Sequence, residues 1–357
     1  MLETSTYSPI LLSRVAEMKA LFYLPAPLKN QMFPIIAARP WPNAKHLLRT
    51  WDKIDEAFND RRFGLDLDRS RFGHPNRYPA GEEFDALFDP SNGFENYYSQ
   101  VDAIPFAIPV LRNDDRASES ELDAEIRRVR DMDRGLVLRC QLNHTQNPLS
   151  LVRRVSARVE DFVLVVDAGW STDLLQNELW ASEFLNLVNE LNPADNQQHI
   201  ELVVAGSSFP ESFSKIGSRG EIQAQERILY NELVGRFNRL DVKYGDWASG
   251  RPSFDPKPMT PVPRIDFPLS REWVCFRKVE DEEYADIARR VVSDASWSDA
   301  LNIWGTYTIE ATANDLPGMI RSPHTATAVR MNIHMFRQAS YDATEFTGDS
   351  DEPFVDE

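Results

Sequence analysis

The sequence is poor in cysteine, in positive charge and in long apolar stretches, and each shortage excludes something. Its two cysteines, Cys140 and Cys275, stand far apart in apolar surroundings, with no C-x-x-C pair and no histidine at ligand spacing. That pattern argues against a disulfide framework or a cysteine-based metal site, and it predicts two buried free thiols in a reducing compartment. No run of 18 apolar residues occurs, and the opening MLETSTYSPILL carries neither a basic leader nor a cleavable apolar segment. The expectation is a cytoplasmic protein with no membrane contact. Lys and Arg number 39 against 56 Asp and Glu, a formal charge of −17 with a pI near 4.9. Such a deficit removes the broad basic surface by which proteins grip nucleic acid, so no direct nucleic-acid binding is expected and proteins or small molecules are the expected partners. Residues 338–357 hold seven acids and no base and read as a disordered acidic tail. A glycine-rich first crossover and a G-x-S-x-G elbow are missing too, which disfavours dinucleotide binding and serine hydrolysis.

What is present is a beat of short apolar run followed by amphipathic stretch. The centre of it is FVLVVDAGW (Phe162 to Trp170), whose five leading apolar residues read as a strand buried on both faces and whose end delivers Asp167. Comparable runs are SPILLS from Ser8, MFPIIAA from Met32, RFGLDLD from Arg62, IPFAIPVL from Ile104, GLVLRCQL from Gly135, HIELVVAG from His199 and LDVKYGDW from Leu240. Each is followed by helical spacing or room for a helix, among them Ala44 to Asn59, Ser118 to Met132, Asp173 to Leu191 and Glu221 to Phe237. Eight such units in about 250 residues predict an α/β fold, a (β/α)8 TIM-type barrel over residues 1–249, in preference to an open doubly wound sheet. The two prolines of IPFAIPVL make the fourth strand the weakest. Residues 250–337 read as an elaborated C-terminal segment packed on the barrel, with a proline-rich excursion, a strand-like WVCFR and a closing helix from Thr325 to Arg337.

Period-two faces nominate a site. Asp66 and Asp68 project from one face of the third strand, Arg139 and Gln141 from one face of the fifth, and Asp167 shares the face of Val163 and Val165. The barrel interior should then hold acids from strands three and six with an arginine between them. One reading makes Asp66, Asp68 and Asp167, joined by Asp246, the oxygen ligands of Mg²⁺ or Mn²⁺, with Arg139 gripping a phosphate in a metal-assisted hydrolase at the C-terminal face. The other makes Arg139 the counter-ion of a buried Asp66 or Asp167 and nothing more. His334 is either a general base or a packing residue between Met331 and Met335. Ser207 follows a strand and a glycine, without a nominated base.

The opening SPILLSRVAEMKAL, SSFP (Ser207 to Pro210), YGDW (Tyr244 to Trp247), the CFR strand with the later Trp304 and Gly305, and the terminal Arg330, Asn332 and His334, taken in this order, resemble the Beta protein family of phages, satellite phages and bacterial mobile islands. The chain departs from that pattern in placing Arg39 after the second strand, where the family usually has an acid, and Ile333 beside His334, where it tends to have two histidines. The resemblance implies a phage- or island-associated setting, with anti-phage defence or neutralisation of a toxic protein encoded in the same operon, and adds Arg330 to the candidate ligand residues. Two classes of function therefore stay open: an acidic binding component that docks on a basic partner, and a hydrolase acting on a phosphate ester.

Overall fold

The computed structural model describes residues 5–74, 78–114, 116–191, 199–252, 261–297 and 301–341, so most of the expected acidic tail (342–357) lies outside the described residues. The apolar runs form β1 (Tyr7–Leu12), β2 (Ile35–Ala38), β3 (Phe63–Leu67), β4 (Ala107–Pro109), β5 (Val137–Gln141), β6 (Asp161–Trp170) and β7 (His199–Ser207). An unexpected strand, β8 (Arg219–Gln223), comes next, and β9 (Val242–Asp246) supplies the eighth stave.

The staves are hydrogen-bonded in the order β4-β3-β2-β1-β9-β7-β6-β5, with parallel neighbours throughout. The two edges, β4 and β5, meet at one bridge between Val110 and Val137, with the Leu111 N–H donating to the Val137 carbonyl at 2.9 Å. The sheet therefore wraps into a nearly closed eight-stranded parallel barrel and not an open doubly wound sheet. Its seam falls at β4, which is three residues long and ends at Pro109, because proline cannot donate to a ladder.

Alternation along each stave sorts the apolar residues into two layers. Ile10, Leu12, Ile35, Ala37, Val163, Val165 and Val203 fill the barrel, while Leu11, Ile36, Leu164 and Val166 meet the surrounding helices. Those helices are α1 (Val15–Phe22), α2 (Ala26–Lys29), α3 (Leu48–Phe58), α4 (Ala80–Asp85), α5 (Ser91–Ala103), α6 (Glu119–Met132), α7 (Pro148–Ser156), α8 (Leu174–Leu191) and α9 (Gln225–Arg236). α3 buries Trp51, Ile54 and Phe58 at helical spacing. α6 starts where Ser118 and Glu121 close a reciprocal capping box.

The segment expected as a helix from Glu221 begins instead as β8, which pairs antiparallel with β11 (Glu272–Arg277), itself paired with β10 (Arg264–Pro268). This three-stranded sheet sits outside the barrel, and three helices follow it: α10 (Tyr284–Val292), α11 (Trp304–Ala313) and α12 (Pro323–Ala339). α12 packs on α1 and β1 and so fills the helix layer between the last stave and the first. It runs past the expected end at Arg337, with Gln338 buried. Cys140 and Cys275 are buried and free. Among the described residues no helix is long and apolar enough to cross a membrane.

Candidate functional site

The carboxyl ends of the staves open into a cleft of about 390 Å³ whose lining includes Asp66, Asp68, Arg69, Arg112, Arg139, Gln141 and His144. Asp66 points inward from β3 and is held by two guanidinium groups: Arg139 Nη1 lies 3.0 Å from its Oδ2, and Arg112 Nη1 lies 2.7 Å from its Oδ1. The Arg112 guanidinium is in turn packed against the rings of Phe88 and Tyr97. Burial alone would raise the Asp66 carboxyl, but Arg139 and Arg112 together outweigh it and hold the group below its ordinary value.

Asp167, one stave beyond Arg139, stands differently. Its Oδ1 accepts from the Gly169 N–H at 2.8 Å and from Trp247 Nε1 at 3.1 Å, while Oδ2 has no hydrogen-bond partner among the described residues and lies 3.9 Å from Arg139 Nε. Gly169 makes this possible with a φ of +67°, turning its N–H back onto the carboxylate in a conformation that suits glycine. Burial raises the Asp167 carboxyl, and the arginine, the indole and the backbone donor offset only part of that. Arg139 itself lies 5.5 Å over the Trp247 ring. Asp68 lines the outer lip, bonded to Ser70 Oγ at 2.6 Å, with its Oδ2 3.4 Å from Arg39 Nη1. Gln141 reaches Arg139 Nη2 at 3.4 Å.

A second polar cluster lies outside the barrel. Asp246 shares the face of Tyr244, opposite to Trp247, so it points away from the cleft and under α12. There its Oδ2 is 2.6 Å from His334 Nε2 and accepts from Tyr244 at 2.9 Å, while Oδ1 accepts from Tyr7 and from the Ala248 N–H. The His334 ring stacks on Trp273. Arg330, one turn earlier, pairs with Asp266 at 3.0 Å and covers the Phe209 ring. Ser207 donates to the Gly250 carbonyl at 2.6 Å, and Ser208 donates to Glu226, whose carboxyl burial and Asp246 push up to about 7.

The nominated residues therefore fall into two groups. Asp66, Asp68, Arg139 and Gln141 line the mouth, with Asp167 fully buried beside Arg139; Asp246 pairs with His334 and Arg330 with Asp266 in the buried contacts that anchor α12; and Ser207 belongs to neither. Asp246 is thus not a fourth acid beside Asp66, Asp68 and Asp167. The described residues hold no group of three His, Cys, Asp or Glu side chains set to take a metal ion. At the mouth each of Asp66 and Asp68 faces an arginine. The sequence reading missed Arg112, Arg69 and Trp247. Arg112 sits just beyond the proline-broken fourth run, where no period could be extended, and Trp247 could have been found by carrying the alternation of β9 one residue further.

Against known proteins, the family description "Beta protein" matches residues 7–340. A curated relative, Protein beta of Enterobacteria phage P4, is 26% identical over 360 residues, covering 98% of each chain. No solved structure matches.

Proposed function

The chain belongs to the Beta protein family, and on that premise we propose that it is a binding protein that receives an anionic group of its ligand at the barrel mouth through Arg139. Taking the barrel as TIM-type, the carboxyl ends of the strands are where ligands sit, and this is where the cleft opens. One observation carries the reading: in a chain of formal charge −17 the cleft is lined by three arginines, Arg69, Arg112 and Arg139, against two aspartates, Asp66 and Asp68. The local balance is opposite to the global one. Arginine's planar fork suits carboxylate or phosphate. The setting is that of a phage- or island-encoded neutralising partner of a protein from the same operon, and the acidic body favours a partner that is basic overall.

A second reading, turnover of a phosphate ester, is favoured by Asp167. Its Oδ2, without a hydrogen-bond partner among the described residues, and a carboxyl raised by burial supply a group disposed to take up a proton and pass it to a leaving oxygen. If Mg²⁺ or Mn²⁺ takes part, Asp66 and Asp68 are the carboxylates that line the cleft, and the ion would compete with Arg139 and Arg39 for them.

Calorimetric titration of the full chain with glutarate and with inorganic phosphate tests the binding reading. Saturable binding that is weakened by Arg139→Lys, which keeps the charge and loses the fork, supports it. Absence of saturable heat with both anions sinks it. Release of phosphate from an ester that stops with Asp167→Asn would move the assignment to the second reading.

A further inference from the structure

Eleven large apolar side chains are exposed among the described residues, and six of them, Val15, Leu48, Phe72, Trp170, Leu175 and Leu179, belong to the end of the barrel where the cleft opens. Their positions explain the clustering. Val15 and Leu48 are the first residues of α1 and α3, Phe72 follows β3, Trp170 ends β6, and Leu175 and Leu179 occupy the first two turns of α8. Helices that follow parallel staves start at the carboxyl end of the sheet, so these residues lie toward that end, outside the lining of the cleft itself. Leu48, Leu175 and Leu179 are 65%, 66% and 61% exposed, on helices whose other faces are buried. Apolar side chains grouped around a polar centre are the arrangement of a protein interface, with specificity at the middle and burial around it.

Resting on the proposed binding role of the mouth, we infer that this end of the barrel docks a polypeptide partner that places an aspartate or glutamate side chain, flanked by aliphatic residues, into the arginine-lined cleft. Charge complementarity chooses that occupant. The cleft's surplus of guanidinium over carboxylate asks for one acidic group, and the leucines of α8 and α3 ask for aliphatic neighbours on either side of it. A partner that is basic elsewhere is drawn by the acidic body and oriented by its single acid, which places attraction and register on different parts of one surface.

The test uses the full chain, glutarate, and a short synthetic peptide with one glutamate flanked by leucines. The peptide is expected to bind at least about tenfold more tightly than glutarate, an increment that burial of two leucines supplies. The exposed pair Leu175→Gln and Leu179→Gln should remove that increment and leave glutarate binding unchanged; replacing the peptide's glutamate by glutamine should remove most of the binding. Equal affinity for peptide and glutarate overturns the docking surface while the mouth's anion site stands, whereas failure of glutarate itself overturns the reading beneath it. Peptide binding that is indifferent to Arg139→Lys overturns the inference as well. A chain ending at Tyr341 that binds the peptide about tenfold more tightly than the full chain would assign the surface to the chain's own acidic terminus and overturn the partner assignment.

Discussion

Asp66 and Asp167 are both buried and both near Arg139, yet they depend on it unequally. Arg139 is 3.0 Å from Asp66 and 3.9 Å from Asp167, and Asp66 has Arg112 besides. Asp66→Asn strips the carboxylate from two guanidinium groups, for which about 3–5 kcal/mol of destabilisation is expected. Asp167→Asn removes a carboxyl already raised by burial and leaves Arg139 paired, so its loss should stay below roughly 1 kcal/mol. Urea unfolding of the two variants checks the contrast, and equal losses would show that Asp167 is as much a counter-ion as Asp66.

Glu125, buried on α6 and bonded to the Arg112 N–H and to Tyr98, titrates near neutrality, since burial pushes its carboxyl from 4.5 up to about 7. The unfolded chain gives up this proton first, so the contribution is fully present below pH 4.5 and is lost as pH rises through 7. Unfolding midpoints between pH 5 and 7.5 should therefore fall with rising pH, on the order of 1–3 kcal/mol for this group, and Glu125→Gln should flatten the slope. An unchanged slope in the variant would refute the assignment. At this scale the sequence was legible wherever a strand period ran unbroken: Asp66, Arg139, Gln141 and Asp167 could all be placed on inward faces. Nothing in the sequence announced that Glu125, on a helix, would meet the backbone of Arg112.

Among the elements, α12 explains why separated motifs resemble one family. Asn332 donates to the Ala20 carbonyl at 2.9 Å and accepts from the Gly305 N–H at 3.0 Å, His334 meets Asp246, and Arg330 meets Asp266. The opening helix, the Trp304–Gly305 pair, the last stave and the terminal motif thus join around one helix, which one-dimensional spacing could not reveal. Gly305 is the tightest point. A Cβ there would stand 2.6 Å from Ile333 Cγ1 and 3.0 Å from Asn332 Oδ1. Gly305→Ala should push α11 from α12 at a cost of about 1–3 kcal/mol, seen as a lower melting temperature. β8 was illegible for a different reason: five residues of alternating exposure ahead of a helix look like a helix's own first turn.

For the whole molecule, α12 ends against the chain's beginning, where Thr6 Oγ1 donates to the Ala339 carbonyl and Arg271 Nε to Tyr341 at 2.7 Å. A chain ending at Tyr341 should melt within a few degrees of the full one. A chain ending at Arg337 loses these contacts and the Gln338 bond to Arg227, and should melt distinctly lower. If the first truncation also slows association with a basic partner at low salt and not at high salt, the remote acids are steering it.

The seam between β4 and β5 has one further consequence. Arg112 follows one edge and Arg139 stands on the other, and both hold Asp66, so a single carboxylate staples a ring that one backbone bridge closes. Opening there breaks little ladder, and the Leu111 amide, bonded across the gap to Val137, reports it. In deuterated water that amide should exchange well before those shared by β6 and β7, Asp66→Asn should speed it selectively, and an anion seated on Arg139 should slow it, which makes a proton's lifetime at the seam a gauge of whether the mouth is occupied.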